Sequence, residues 1–208
     1  MGTANGDTDE TPVHEQCFSA PFWIDRTEVT RAMYTQCVEA GACTPAETPE
    51  SSTGEQQPIN GVSWYQASTY CTWRGGYLPA EVEWEYTARG PDNLIYPWGN
   101  TFESSMVTFR ENSSDTDDVE SHENGASWVG VLNMSGNVTE WTSTIYAGYP
   151  YIPDDGRENP GNNRRLRVLR GGSYLVEMIH VRAVDRDAFN PAIGANSIGF
   201  RCARSYED

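Results

Sequence analysis

The last quarter of the chain consists of two blocks rich in glycine and arginine with an irregular segment between them. The first block is Arg167-Val-Leu-Arg-Gly-Gly-Ser173 and the second is Ile198-Gly-Phe-Arg-Cys202. Residues 174–197 mix apolar side chains with Asp, His, Asn and Gly, and they follow neither the period of a strand nor that of a helix. A core strand would be more uniformly apolar and a solvent loop more polar, so this pattern is typical of a surface that contacts another molecule.

Length and charge restrict the classes of protein that remain. A chain of 208 residues can bury a substantial core, and we expect a single domain over residues 1–208. The formal net charge of -16 disfavours nucleic acids and anionic membranes as partners, because their phosphates would be repelled. No run approaches the roughly 20 apolar residues of a membrane span. No basic segment followed by an apolar one opens the chain as a signal peptide would.

Local signals predict a loop-rich α+β fold, in keeping with 19 glycines and 12 prolines. Thr30 and Ser63 are candidate N-caps of two helices, and acidic residues early in residues 80–89 suit the N-terminal dipole of a third. We expect two of these helices to be the main ones, short antiparallel strands, and a loose entry over residues 1–16. Strands are expected at residues 18–28 and 166–169 and within residues 132–143.

Five cysteines leave at least one thiol unpaired. They are Cys17, Cys37, Cys43, Cys71 and Cys202, and none belongs to a CxxC pair, so a zinc site is not expected. Cys37 and Cys43 are near enough in sequence to staple one loop, whereas Cys71 and Cys202 would close a long one. The cysteines alone do not determine the redox compartment.

Seven short blocks, spread over nearly the whole chain, together resemble one family. They are Phe22-Trp-Ile-Asp-Arg-Thr-Glu-Val-Thr30, Pro58-Ile-Asn-Gly-Val-Ser-Trp64, Gly76-Tyr-Leu-Pro-Ala-Glu-Val-Glu-Trp-Glu-Tyr86, Tyr96-Pro-Trp-Gly-Asn100, Asn133-Met-Ser-Gly-Asn-Val-Thr-Glu-Trp141, Leu169-Arg-Gly-Gly-Ser173 and Gly199-Phe-Arg-Cys202. In this order they resemble the formylglycine-generating enzyme, or sulfatase-modifying factor, family. One block alone is weak, whereas seven in register are specific. The resemblance implies a C-type-lectin-like α+β domain with few strands and long packed loops.

The resemblance also implies an activity against which two positions of this chain argue. Enzymes of the family oxidise a sulfatase cysteine to formylglycine, using two cysteines just after the Gly-Gly-Ser-Tyr block. Their thiolates hold Cu(I), which activates oxygen. The matching positions here are Val176 and Val181. Because valine neither ligates copper nor exchanges thiols, we expect no copper site and no catalytic residues for this reaction.

A disulfide and a calcium site of the family carry over residue by residue. In the enzymes, a cysteine of the second helix pairs with that of the Gly-Phe-Arg-Cys block, which implies a Cys71–Cys202 disulfide. Cys37–Cys43 is the other candidate pair, with Cys17 free. The acidic residue that matches the calcium site is Glu140, and its alternative role is a buried hydrogen-bonding hub beside Trp141. The implied calcium ligands, mainly backbone carbonyls, are Ser135, Gly136, Val138 and Glu140.

Some members of this fold are variable proteins of diversity-generating retroelements, and residues 174–197 resemble their ligand-binding segment. In those proteins adenines are replaced, often in Asn codons, and most residue types of the segment are reachable in this way. Glu177 and Met178 are reachable only from a lysine codon. The alternative is an ordinary family loop with its own packing. The residues that we assign to ligand binding are Tyr174, Leu175, Val176, Glu177, Met178, Ile179, His180, Asp185, Asp187, Ala188, Phe189, Ile193, Gly194, Ala195 and Ser197. Those that we expect to be scaffold are Arg182, Ala183, Arg186, Asn190 and Pro191.

The sequence therefore favours a non-catalytic protein that recognises a protein or another macromolecule through residues 174–197. Two other functions stay open. A divergent metal-dependent oxidase or oxygenase would need histidine ligands, and the chain has only His14, His122 and His180. The other open function is that of a sensor or accessory domain of a longer protein, for example one joined to a kinase. If the disulfides form, an extracytoplasmic or cell-surface location is expected.

Overall fold

The described residues contain three α-helices of similar length, at the three places where the sequence predicts helices, so the third is not smaller than the two expected to be the main ones. A computed structural model describes residues 1–48, 53–162 and 165–206, and the rest of the expected 1–208 domain lies outside them. In those described ranges no helix is long and apolar enough to cross a membrane. The helices are α1 (Arg31–Glu39), α2 (Trp64–Trp73) and α3 (Glu81–Arg89).

The first two helices begin at the caps that the sequence predicts. The Thr30 hydroxyl accepts a hydrogen bond from the Met33 backbone N–H at 3.2 Å. Ser63 and Gln66 form a capping box, in which each side chain accepts from the other residue's backbone N–H, at 3.3 and 2.9 Å. Such caps satisfy donors that have no partner within the helix. They explain why short helices of modest intrinsic propensity start where they do.

Six short strands make two sheets in the described part of the chain. One is an antiparallel pair of β1 and β6, and the other has the order β4-β3-β2-β5. All neighbours in the larger sheet are antiparallel except β2 and β5, which run parallel. The strands are β1 (Phe22–Ile24), β2 (Thr139–Ile145), β3 (Arg167–Arg170), β4 (Arg186–Phe189), β5 (Ile198–Gly199) and β6 (Ala203–Ser205).

The main core lies between α1, α2 and the four-stranded sheet. Tyr34 stacks on Tyr70 with ring centroids 5.7 Å apart, and Phe200 meets Tyr70 edge-on at 5.4 Å. Trp141 of β2 is fully buried in the same cluster. A second cluster packs Trp84 of α3 against residues that include Ala183, so α3 contacts the irregular segment 174–197. These apolar contacts hold the Gly/Arg-rich blocks rigidly in place.

Both predicted disulfides are confirmed. Cys37–Cys43 and Cys71–Cys202 have Cα atoms 5.3 and 5.5 Å apart, within the normal range for a bridge. The longer bridge ties α2 to the chain just before β6. Cys17 is free and exposed, as expected. Two disulfides are consistent with folding in an oxidising compartment.

The first sixteen residues are docked on the body of the protein, which corrects the expectation of a loose entry. The Gly2 N–H donates to Glu85 Oε1 at 2.8 Å, and Arg89 Nη1 donates to the Gly2 carbonyl at 2.9 Å. The Tyr151 N–H donates to His14 Nε2 at 2.9 Å. All three contacts join positions far apart in sequence, so no local pattern in residues 1–16 announces them.

Candidate functional site

A buried arginine holds the backbone of residues 183–185, in the middle of the segment 174–197, against the sheet. Arg170 of β3 donates through Nη1 to the Val184 carbonyl at 2.6 Å and through Nη2 to the Ala183 carbonyl at 3.2 Å. It also donates to the Asp185 carbonyl and pairs with the Glu85 carboxylate. A guanidinium carries five N–H donors in a rigid fork, so one side chain fixes three successive carbonyls.

Two further arginines, which we expect to be scaffold, anchor the segment to other elements. Arg186 forms a two-point ion pair with Glu81 of α3, at 2.6 and 3.0 Å, and both side chains are fully buried. Arg182 binds both oxygens of Glu10, at 2.8 and 3.0 Å. Bidentate pairs of this kind define orientation as well as position. The segment is therefore pre-arranged rather than a mobile loop.

A glycine and a hydroxyl fix the single 3-10 turn at Met178–Val181 within this segment. Gly172 has φ of 67°, and a Cβ there would lie only 2.2 Å from the His180 carbonyl oxygen. Only glycine allows both that backbone angle and that close approach. The Ser135 hydroxyl donates to the Val181 carbonyl at 2.7 Å. The turn consequently presents its remaining side chains outward.

Seven side chains of the segment form what we call the exposed face. Four of them are apolar and about half accessible: Leu175 at 49 %, Met178 at 51 %, Ile179 at 49 % and Ile193 at 51 %. Four large apolar side chains exposed on one segment make it a candidate contact surface. The exposed face consists of Leu175, Glu177, Met178, Ile179, His180, Asp187 and Ile193.

Other residues assigned to ligand binding are less accessible, which corrects the assignment for two of them, Tyr174 and Gly194. Tyr174 is only 6 % exposed and Asp185 is 9 % exposed. At Gly194 a Cβ would lie 2.3 Å from the Gly61 carbonyl oxygen, so this position packs against backbone and admits no side chain. The half-buried positions are Val176, Ala188, Phe189, Gly194, Ala195 and Ser197. Phe189 packs on the main core, with its ring 6.2 Å from that of Trp141.

A cleft of about 310 Å³ opens beside the exposed face, with Val176, His180, Asp185 and Asp187 among its lining residues. His180 Nδ1 lies 3.2 Å from Asp185 Oδ1. Burial raises the pKa of Asp185 to about 6, and the nearby His180 opposes that rise. Arg186 also lines the cleft, but its guanidinium is paired with a buried glutamate. Because Asp185 is buried and Asp187 is exposed, the accessible carboxylate of the cleft is that of Asp187.

Asp185 also belongs to an acidic cluster that the sequence did not reveal. Carboxylate oxygens of Asp7, Glu10 and Asp185 lie within 4.8 Å of one another, a geometry that can hold a metal ion. Arg182 is bound among them, at 2.8 Å from Glu10, 3.4 Å from Asp185 and 3.6 Å from Asp7. The guanidinium already supplies the positive charge that these carboxylates require, so we interpret the cluster as structural.

Comparison with known proteins decides the family. The family model described as "Sulfatase-modifying factor enzyme 1-like domain" matches residues 1–206. The chain belongs to the sulfatase-modifying factor family. It is 32 % identical to the serine/threonine-protein kinase pkn1 of Chlamydia caviae over 98 % of this chain and 36 % of the kinase. It is 29 % identical to the formylglycine-generating enzyme of Mus musculus over 95 % of this chain and 55 % of the enzyme. It thus spans about a third to a half of these relatives.

Two solved structures are similar to this chain in fold. The structure of PvdO from Pseudomonas aeruginosa has a TM-score of 0.85 and 25 % identity, covering 99 % of this chain and 90 % of that one. Treponema denticola variable protein 1 has a TM-score of 0.74 and 21 % identity, covering 89 % and 84 %. The C-type-lectin-like α+β fold is confirmed by these neighbours.

Of the two positions that match the family's catalytic cysteines, one lies at the cleft and the other in an apolar cluster of the core. Val176 is half buried and lines the cleft, whereas Val181 is fully buried against Tyr96, Val107 and Phe109. Neither side chain offers a ligand atom. The sulfatase-modifying fold is kept here, but this pair contributes packing instead of thiol chemistry.

The residues implied as calcium ligands do not fit a calcium ion in this chain. Both oxygens of Glu140 bind Arg201, at 2.6 and 2.7 Å, and Trp84 Nε1 donates to one of them at 2.9 Å. Ser135, Gly136 and Val138 are buried. A divalent cation at Glu140 would have to displace a fully buried guanidinium, so the alternative role, a buried hub, describes Glu140 better. Arg201 stands 61 positions further along the chain, which is why the sequence did not suggest the pairing.

Proposed function

We propose that this chain recognises a macromolecular ligand through the exposed face and the adjoining cleft, and that it does not generate formylglycine. The observation that carries the proposal is that residues 174–197 contain both accessible positions and positions anchored to the rest of the fold. Leu175, Met178, Ile179 and Ile193 reach solvent, while Ala183 and Arg186 between them are buried and Arg182 is bonded to Glu10. A family enzyme would instead need two cysteines at Val176 and Val181.

Pre-arrangement of the segment supports a binding role on energetic grounds. Because Arg170, Arg182 and Arg186 already hold the backbone in place, little backbone entropy remains to be lost when a ligand docks. The exposed apolar side chains would supply buried area at the centre of the contact. Exchange of these side chains would then alter specificity without altering the scaffold.

The charge of the cleft points to the kind of group that it receives. Asp187 is exposed at the cleft, and the chain as a whole carries a net charge of -16. Arg186, the cleft's arginine, is neutralised by Glu81. We therefore expect the ligand to place a basic group in the cleft and apolar groups against Leu175 and Ile179.

A panning experiment tests this proposal. Random peptides displayed on phage are selected against the intact chain, and the enriched peptides are measured against three variants. Peptides with a basic residue next to apolar ones should be enriched. Ile179→Glu and Asp187→Lys should each weaken their binding at least about tenfold, a loss of about 1.4 kcal/mol. Ile152→Glu, at a site with similar 50 % exposure outside the face, is the matched control. Equal binding to all three variants would refute the proposal.

The absence of the family's oxidation chemistry needs its own assay. The chain is incubated with a cysteine-containing sulfatase peptide, copper and oxygen, beside an active family enzyme as positive control. We expect no aldehyde above a control without enzyme, because Val176 and Val181 cannot hold copper. Turnover above that background would favour the divergent-oxidase alternative.

A second candidate function is favoured by one specific observation. The match with the chlamydial kinase covers 98 % of this chain but only 36 % of the kinase. The same recognition module could therefore serve as an accessory or sensor domain of a longer protein. This candidate differs from the first in context, not in chemistry, since both use the exposed face.

A further inference from the structure

Strand β1 has a free edge on the side away from its partner β6. In the register of this antiparallel pair, Trp23 lies opposite Arg204 and Ile24 opposite Ala203. The next residue, Asp25, donates its N–H to the Cys202 carbonyl at 2.8 Å, and the Cys202 N–H donates back to Asp25 Oδ2 at 3.1 Å, so the two residues form a hydrogen-bonded pair that faces the β6 side. Such pairs alternate along an antiparallel ladder. The N–H and C=O groups of Phe22 and Ile24 therefore point away from β6, towards the open edge.

On the side of that open edge, backbone hydrogen bonding starts at Arg26, just after β1, and in the described residues it does not continue along β1. The Leu132 N–H donates to the Arg26 carbonyl at 2.8 Å. The chain before it turns away, closed by hydrogen bonds from Ser127 to the Val131 carbonyl and from Gly130 to the Ser127 carbonyl, both 2.8 Å. A gap is left between β1 and residues 128–131, where another extended segment would continue the pairing.

This gap is a concavity of about 660 Å³. Four aromatic rings follow one another along it: Phe22 to Phe18 at 5.3 Å, Phe18 to Tyr86 at 5.1 Å, and Tyr86 to Trp128 at 5.2 Å. Trp128 is 46 % exposed and Val129 is 52 % exposed. The volume is within the range of sites that bury a ligand. We call this concavity the aromatic groove.

The wall of the aromatic groove is fixed in advance. Trp128 Nε1 donates to the Tyr86 carbonyl at 2.9 Å, which orients the indole. The ring also packs on Gly90, where an added Cβ would come within 3.0 Å of it. An aromatic ring held by such contacts loses little freedom on binding, so the groove is suited to receive side chains rather than to close on itself.

Charges at one end of the groove limit the kind of occupant. Arg26 lines the groove, but Glu120 lies 3.1 Å and Glu123 lies 3.8 Å from its guanidinium. Both glutamates are largely exposed, so this end is net negative, as is the whole chain. An occupant with a basic end complements it, whereas an acidic one is repelled.

From these features we propose that an extended peptide segment of a partner protein binds as a third strand along β1. Its backbone takes the free hydrogen-bonding groups of Phe22 and Ile24. Its alternate, apolar side chains fill the aromatic groove, and a basic residue lies towards Glu120 and Glu123. The groove shares no lining residue with the cleft of the exposed face, so this site stands apart from the proposed function.

Labelled synthetic peptides test the proposal on the intact chain. The set alternates arginine or threonine with Val, Ile, Tyr or Phe and is measured by fluorescence anisotropy. For the tightest binder, two backbone-methylated forms are made, one methylated at the odd and one at the even amides. Only one form should lose affinity, by about tenfold or more, because a strand uses alternate N–H groups at each edge. Equal affinities of all forms, equal loss in both, or no binding by any peptide would overturn the proposal.

Two variants of the protein locate the site, and a change in the peptide checks the role of charge. Val129→Glu should weaken the same peptide at least about tenfold, while Ile152→Glu, at a similarly exposed position elsewhere, should not. Replacing the peptide's arginines with glutamates should also weaken binding, and more so at low salt. If Val129→Glu binds as tightly as the parent chain, the peptide lies elsewhere and the proposal is wrong.

Discussion

The two disulfides allow a controlled test of how loop length stabilises this fold. Their four cysteine residues are almost equally buried, since Cys37 and Cys71 are 0 % exposed and Cys43 and Cys202 are 8 % and 5 % exposed. Replacing either pair with alanine therefore removes similar packing. What differs is the closed loop, with a sequence separation of 6 for one bridge and 131 for the other. All variants carry Cys17→Ser to prevent thiol exchange.

The chain-entropy model turns these separations into energies. For 131 residues it gives about 5 kcal/mol at 25 °C, and for 6 residues about 2 kcal/mol. The difference, about 3 kcal/mol, does not depend on the constant term of the model. It concerns the unfolded state, because the long bridge restricts most of the denatured chain and the short one restricts only a single turn.

Urea unfolding followed by tryptophan fluorescence measures the effect. Loss of Cys71–Cys202 should lower the unfolding free energy by about 3 kcal/mol more than loss of Cys37–Cys43. It should also raise the m-value, because a denatured chain without the long link exposes more surface. Equal destabilisation by the two double variants, or a larger loss for the short loop, would refute the loop-length argument.

Three further outcomes are expected of single substitutions. Phe200→Ala removes a fully buried ring and should cost about 3–5 kcal/mol, whereas Ile179→Ser on the exposed face should cost about 0.5 kcal/mol or less by the same urea titration; similar losses would place Ile179 in the core. Glu140→Ala strands the buried Arg201 and should cost about 3–5 kcal/mol, and a loss below about 1 kcal/mol would show that the pair is not needed. Burial raises the pKa of Glu28 from 4.5 to about 7, opposed by Arg201, so its share of stability is present below about pH 4.5 and lost as the pH rises through about 7. Glu28→Gln should flatten the pH dependence of unfolding in that window, and an unchanged slope would contradict this assignment.

Features that depend on neighbours in sequence were predictable. Thr30 and Ser63 cap helices because their side chains reach backbone groups three residues away, whatever the rest of the chain does. The order of the seven family blocks indicated the fold and the Cys71–Cys202 pairing. Substitution of both catalytic cysteines by Val176 and Val181 was equally visible, because the identity of a side chain is independent of its surroundings.

Features that depend on where distant segments meet required the tertiary structure. Nothing local in Asn133–Trp141 states that Glu140 faces Arg201, and a carboxylate that suits calcium in one packing suits a guanidinium in another. Likewise Gly194 reads as an exchangeable position until Gly61 is found against it. A strand such as β5, with two residues, has no periodicity of its own and exists only because β2 lies beside it.

The division between the exposed face and its scaffold shows the same rule within one segment. The sequence of residues 174–197 predicted a contact surface and named Arg182 and Arg186 as scaffold. Only the tertiary structure, however, showed that Tyr174 and Asp185 are buried and that Ile179 is exposed to solvent. Burial is a property of packing between elements, and the free edge of β1 beside Trp128 depends on it in the same way. Local chemistry determines which contacts a side chain is able to make, and the path of the chain decides which of them form.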